Sequence, residues 1–106
     1  MKHIKTFEKL NQKKPQVGDY VICQDEEDDL ISFMNNNIGK IIDISHNDKI
    51  PFDIEYENIP SNIQNYFGFN NNIKNNNRVM SREEILYWSK NKEDLKQIIL
   101  QRKYNI

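Results

Sequence analysis

Ile38-Gly39-Lys40-Ile41-Ile42-Asp43-Ile44 and Phe52-Asp53-Ile54-Glu55-Tyr56-Glu57 are the stretches that decide the fold. In the second, apolar and acidic residues alternate. Successive side chains of a strand point to opposite faces, so Phe52, Ile54 and Tyr56 share one face while Asp53, Glu55 and Glu57 share the other. One face can be buried and the other wetted. The first stretch reads as the preceding strand, with Gly39 permitting a close backbone approach or a bulge. Working outward, Tyr20-Val21-Ile22-Cys23 supplies an earlier strand, and the segment from Arg78-Val79-Met80 to Ile85-Leu86-Tyr87-Trp88 supplies the last ones. This succession of short strands has the rhythm of a small closed β-barrel. Val21, Ile42, Ile54, Val79 and Ile85 are expected to converge in its core.

Between the strands the sequence punctuates itself. Pro15 bars helix continuation, and Val17-Gly18-Asp19-Tyr20 reads as a tight turn in which Gly18 takes a special backbone angle and Asp19 satisfies turn amides. Asp25-Glu26-Glu27-Asp28-Asp29 precedes Leu30, Phe33 and Met34, the stripe of a short helix with acids at its positive end. His46-Asn47-Asp48-Lys49 is a polar turn. Ile59, Ile63, Tyr66 and Phe67 recur at helical spacing, which predicts a helical insertion over 61–67. Ser81-Arg82-Glu83-Glu84 reads as a single helical turn. Asn91 caps a helix running through Lys103, with Leu95, Ile98 and Ile99 on one face, expected to cover one mouth of the barrel. Residues 1–14 read as a lysine-rich leader or arm and 15–106 as the domain.

A chain of 106 residues fits one domain. The lone cysteine, Cys23, rules out an internal disulfide and sits in an apolar run, as a buried thiol would, so a reducing compartment is expected. No stretch approaches the roughly 18 to 20 apolar residues of a membrane span, and no secretory signal opens the chain. A soluble, cytoplasmic protein is the expectation. Ile, Asn and Lys dominate and alanine is absent, the mark of an AT-rich genome. Asn35-Asn36-Asn37, Asn70-Asn71-Asn72 and Asn75-Asn76-Asn77 belong to that bias, and also suit loops.

The Gly-Asp turn, the long loop, the Gly-Lys-Ile second strand, the acidic alternating third strand and the helical turn before the last strand resemble an SH3-like barrel over residues 16–88, closest to the KOW and Tudor-like branches. The resemblance implies a mainly β fold, an SH3-like small β-barrel with short helical insertions and a C-terminal α-helix, and a binding groove to which the rim near Trp88 contributes. The sequence departs from the KOW pattern by lacking its basic, glycine-rich surface. From Met1-Lys2-His3-Ile4-Lys5 through Glu93-Asp94-Leu95 the chain also resembles short proteins of tailed phages and other large DNA viruses with AT-rich genomes. That likeness implies a viral or phage accessory protein acting in the host cytoplasm.

No catalytic constellation is expected. Nucleophilic catalysis needs a base beside the nucleophile, and the histidines are His3 in the leader and His46 in a turn. One cysteine and two distant histidines cannot build a structural zinc site. No metal or other cofactor is predicted. Glu55 and Glu57 read as acids on a wetted strand face. The run Asp25, Glu26, Glu27, Asp28, Asp29 is the strongest charge feature; it lacks calcium-loop spacing and reads as a solvated acidic loop or a partner-binding loop. In Tyr66-Phe67-Gly68-Phe69, core packing is the favoured reading of Tyr66 and Phe67 and surface exposure that of Phe69; Tyr66 and Phe69 join the acidic run as candidates for partner binding. The net charge of −1 argues against a large phosphate-binding face. Basic residues do gather at Lys2, Lys5, Lys9, Lys13 and Lys14 and at Lys90, Lys92, Lys96, Arg102 and Lys103, a local patch if the ends meet. The leading expectation is a non-enzymatic module that engages a host or viral protein. The alternatives are a nucleic-acid-associated KOW-like domain and a small virion or cargo component docked by its leader.

Overall fold

The computed structural model describes residues 14–46, 49–68 and 76–104. Its elements are β1 (Tyr20–Cys23), α1 (Asp28–Asn36), β2 (Gly39–Ile44), β3 (Phe52–Glu55), a 3₁₀ turn (Ser61–Tyr66), β4 (Asn77–Met80), a second 3₁₀ turn (Arg82–Glu84), β5 (Ile85–Ser89) and α2 (Lys92–Tyr104). The strands form one antiparallel five-stranded sheet in the order β4-β3-β2-β1-β5.

The ends of this sheet are drawn toward each other. In a flat sheet the two outer strands would lie about 19 Å apart. Only Ser81–Glu84 separates Met80 of β4 from Ile85 of β5, and a link containing a 3₁₀ turn at ~2 Å per residue spans on the order of 10 Å. The sheet must therefore curl strongly. Its two edges are not paired with each other, so it is a curled open sheet rather than a closed barrel, and with two α-helices the content is mixed rather than mainly β.

Bulges help the sheet to bend. Ile41 pairs with Ile54 and Asp43 with Asp53, leaving Ile42 as an extra residue in β2, and a second irregularity lies between Ile22 and Cys23 in the β1–β5 pairing. The β2 bulge corrects the expected core. Ile41 is wholly buried and Ile42 is 41 % exposed. Val79 is half-buried, and its neighbour Met80 takes the core position. Val21, Ile54 and Ile85 do converge, with Trp88, Phe52, Leu30, Met34 and Phe67. At the centre Phe33, Tyr56 and Phe67 meet edge to face with centroids 5.6 to 5.9 Å apart. Gly39 is required beneath them: a Cβ there would stand 2.5 Å from Ile54 Cγ2 and 2.8 Å from the Tyr56 ring.

β1 is buried on both faces, which is why Val21-Ile22-Cys23 reads as an unbroken apolar run. Val21 and Cys23 face the main core, while Ile22 packs under Leu95 and Ile98 of α2. Thus α2 covers the second face of β1 and β5 instead of a barrel mouth. Asn91 begins this helix as expected, its Oδ1 accepting the Glu93 amide at 3.0 Å. Asn36 and Asn37 close the first helix, where their side-chain amides donate to Ser32 O and Phe33 O at 2.8 Å and satisfy carbonyls of the last turn of α1. The early turn follows the sequence reading, with Gly18 at φ 94° and Asp19 Oδ2 accepting the Gln16 amide at 2.9 Å.

Candidate functional site

Asp25 leaves β1 and turns back at once. Its Oδ1 accepts the Glu27 amide at 2.9 Å, fixing the turn into α1. Arg78, reaching over from β4, grips the same carboxylate with Nε to Oδ2 at 2.8 Å and Nη2 to Oδ1 at 3.3 Å. The Asp25 side chain is only 3 % exposed, so its charge has exchanged water for this forked pairing. Arg78 Nη1 continues to the Tyr66 carbonyl at 3.0 Å, and Tyr66 Oη donates to Asp29 Oδ2 at 2.8 Å, with Glu27 Oε1 at 3.5 Å. The hydrogen bond to the Asp29 carboxylate pushes the Tyr66 phenol up to about 12. The acidic loop and the 61–67 insertion, far apart in sequence, are thereby tied into one knot.

That knot divides the acidic run. Asp25, Glu27 and Asp29 have protein partners; among the described residues the Glu26 and Asp28 carboxylates have none. Phe69 lies outside the described residues, as do His3 and the leader lysines Lys2, Lys5, Lys9 and Lys13.

Two acids that the sequence places in a helical turn join the loop here. Gln24 N donates to Glu84 O at 2.8 Å and Gln24 Nε2 reaches Glu83 O at 3.5 Å, which brings the Arg82–Glu84 turn beside the acidic run. Between them and the β2–β3 turn opens a cleft of about 560 Å³ lined by Gln24, Asp25, Glu26, Ile50, Glu83 and Glu84. Glu84 Oε1 accepts the Ser81 amide at 2.8 Å. Glu26 and Glu83 have no side-chain partner among the described residues, and Ile50 is half exposed at the wall. No pattern in the sequence relates Glu83 to Asp25; the antiparallel β1–β5 register does, setting Cys23 opposite Ile85 and continuing in the Gln24–Glu84 backbone bond.

Other chemistry is limited. Burial pushes the Cys23 thiol up to about 12, with the negative charges of Glu84 and Asp25 adding to the effect, so it is a thiol at neutral pH. The Tyr56 hydroxyl lies buried beside it with no partner of good hydrogen-bond geometry. Among the described residues no group of three or more His, Cys, Asp or Glu is placed to hold a metal ion. His46 is exposed in a turn. No described helix is long and apolar enough to cross a membrane.

At the C-terminal basic end three of the side chains are engaged within the chain. Lys90 pairs with Asp19 at 3.1 Å, Lys96 with Glu93 at 3.0 Å, and Arg102 donates to Asn35 Oδ1 at 3.3 Å. Lys40 and Lys92 instead flank the Tyr20 ring, 5.7 and 5.9 Å from its centroid.

No family model, no curated protein and no solved structure matches the chain.

Proposed function

We propose that this chain is a non-enzymatic binding module whose acidic cleft takes a basic polypeptide segment of a partner protein. The observation that carries the reading is the convergence of Asp25, Glu26, Glu83 and Glu84 from two distant segments on one cleft, beside the exposed Ile50. A lysine or arginine side chain would meet the free Glu26 and Glu83 carboxylates, and its aliphatic stem would cover Ile50. The Arg78–Asp25 fork and the Tyr66 bonds hold the acidic loop in place before binding, which lowers the ordering cost of association. Functional residues on loops held by a sheet are the common arrangement.

On the same reading the fold is an SH3-like barrel left incompletely closed. What supports this is the strand order, a four-strand meander with the fifth strand returning beside the first, and the 3₁₀ turn that precedes it. The Asn-, Ile- and Lys-rich composition points to an AT-rich genome and not to a function. A second reading, nucleic-acid binding, is favoured by Tyr20 set between Lys40 and Lys92, a ring with two cations in reach of phosphate.

The test is a fluorescence anisotropy titration with a labelled peptide of alternating lysine and leucine. Saturable binding that weakens at least tenfold in a Glu26→Lys, Glu83→Lys double variant of unchanged melting temperature is expected. Binding that ignores the double variant rejects the acidic cleft. Tighter, steeply salt-dependent binding of an oligonucleotide, lost in Lys40→Glu, would move the assignment to the second reading.

A further inference from the structure

The two turns that wall the acidic cleft have another side. Ile50 and Glu83 line the acidic cleft, and the residues joined to them by a single peptide bond, Pro51 and Arg82, line a separate cleft of about 340 Å³. Its apolar part is Pro15, Ile44, Pro51 and Phe52; its polar part is Lys14, His46 and Arg82, with no carboxylate among them. Among the described residues none of these three basic side chains has an ion-pair partner. Lys14 and His46 are exposed. Arg82 is held in place: its guanidinium carbon lies 4.3 Å from the Trp88 ring centroid and Nη1 donates to the Ile85 carbonyl at 3.3 Å. A guanidinium fixed in this way loses less freedom when a carboxylate arrives.

We propose that this second cleft binds a partner's extended peptide segment in which carboxylate side chains are interleaved with apolar ones. The charge selects the carboxylates: among the described residues every ionisable group that lines the cleft is a base, so an acidic segment gains charge-assisted hydrogen bonds from them where a basic one is repelled. The apolar floor selects the interleaving. Two prolines, an isoleucine and a nearly buried phenylalanine offer contact area to an aliphatic side chain and no polar group to a sugar or phosphate. Phe52 is 7 % exposed and the Trp88 ring is covered by Arg82, so neither of these rings offers its face to a nucleobase. The volume matches a few side chains of a peptide and falls within the ~300 to 1,000 Å³ range of small-ligand sites. This site is independent of the acidic cleft: it has opposite charge and shares no lining residue with it.

A fluorescein-labelled octapeptide of alternating glutamate and leucine tests the proposal by anisotropy, with amide chemical-shift mapping to place it. Saturable binding is expected, with the largest shifts at Lys14, Ile44 and Arg82. Lys14→Glu combined with His46→Glu, both at exposed positions, should weaken it at least tenfold with no change in melting temperature. Replacing leucine by serine in the peptide should weaken it to a similar degree. Glu26→Lys should leave it unchanged, which separates this site from the acidic cleft. The proposal is overturned if no saturation occurs at millimolar peptide, if the double variant binds undiminished, if the glutamate–serine peptide binds as well, or if an oligonucleotide competes at these same residues.

Discussion

Ile50 and Glu83 line a cleft of carboxylates, while their chain neighbours Pro51 and Arg82 line a cleft of bases over an apolar floor, and the two clefts use charge differently. On the acidic side part of the charge is structural. Asp25 is enclosed, accepts from Arg78 and from the Glu27 amide, and sets the path of the loop; Glu84 holds its own turn through the Ser81 amide. Glu26 and Glu83 are left over for a partner. On the basic side only Arg82 is anchored, and Lys14 and His46 stand free of ion pairs among the described residues. A net charge of −1 hides this division. Overall charge says little about partners when opposite charges are segregated by the two sides of one turn.

The sharpest way to break the comparison is to remove a charge from each side. Arg78→Ala leaves the Asp25 carboxylate buried without its counterion and also frees the Tyr66 carbonyl. Deleting one partner of a buried ion pair is far costlier than the pair's net worth, and a loss of about 3 kcal/mol is expected. Lys14→Ala, at an exposed residue with no ion pair among the described residues, should stay within about 0.5 kcal/mol. Urea midpoints at constant m measure both. Equal losses would show that Asp25 is not held by Arg78 in the way the geometry requires.

How much of this is legible in the sequence depends on whether the information is local. The alternation Phe52-Asp53-Ile54-Glu55-Tyr56 survives into burial almost unchanged, because a strand's period is set by its own backbone. At Ile41-Ile42 the sequence points to the wrong residue, because the bulge against Ile54 and Asp53 depends on the partner strand, and a shift of one residue moves a side chain to the opposite face. For α2 the pattern yields the helix but not its seat, since an apolar face says that it packs and not on what. The acidic run looks uniform along the chain. Only tertiary contact distinguishes Asp25 and Asp29, which are engaged, from Glu26 and Asp28, which are not, and no linear pattern links Glu83 to them. Lys14, His46 and Arg82, scattered over a leader, a turn and a 3₁₀ turn, carry no joint signal at all.

A smaller effect concerns the knot on the acidic side. The Tyr66 phenol is pushed up to about 12 chiefly by its hydrogen bond to Asp29, whereas in the unfolded chain it ionises near its ordinary value of about 10. The folded state therefore holds this proton more tightly. The stabilisation is fully present below pH 10 and is lost as pH rises toward 12, because the unfolded chain releases the proton first. Absorbance at 295 nm should show one tyrosine titrating near pH 12, and Asp29→Asn should bring it down toward 10. A titration unmoved by that substitution would mean that the acidic loop and the insertion are not joined through this bond.

The smallest expected effect tests whether the two clefts are as separate as their linings suggest. Arg82 and Glu83 are adjacent, so the Glu83 carboxylate lowers the positive potential felt by an acidic peptide in the neighbouring cleft even though it does not line it. Charges this near the surface interact through water and salt, and the coupling should not exceed about 0.5 kcal/mol. Glu83→Gln should accordingly tighten binding of the glutamate–leucine peptide by no more than about twofold at low salt, with the gain erased at 0.5 M salt, where the screening length falls to roughly 4 Å. In the same variant the lysine–leucine peptide should bind more weakly, so one neutral substitution moves the two affinities in opposite directions. Parallel changes would indicate that the substitution alters the shape of the Arg82–Glu84 turn, and a salt-insensitive gain would point to a direct contact between Glu83 and Arg82 in place of two independent linings.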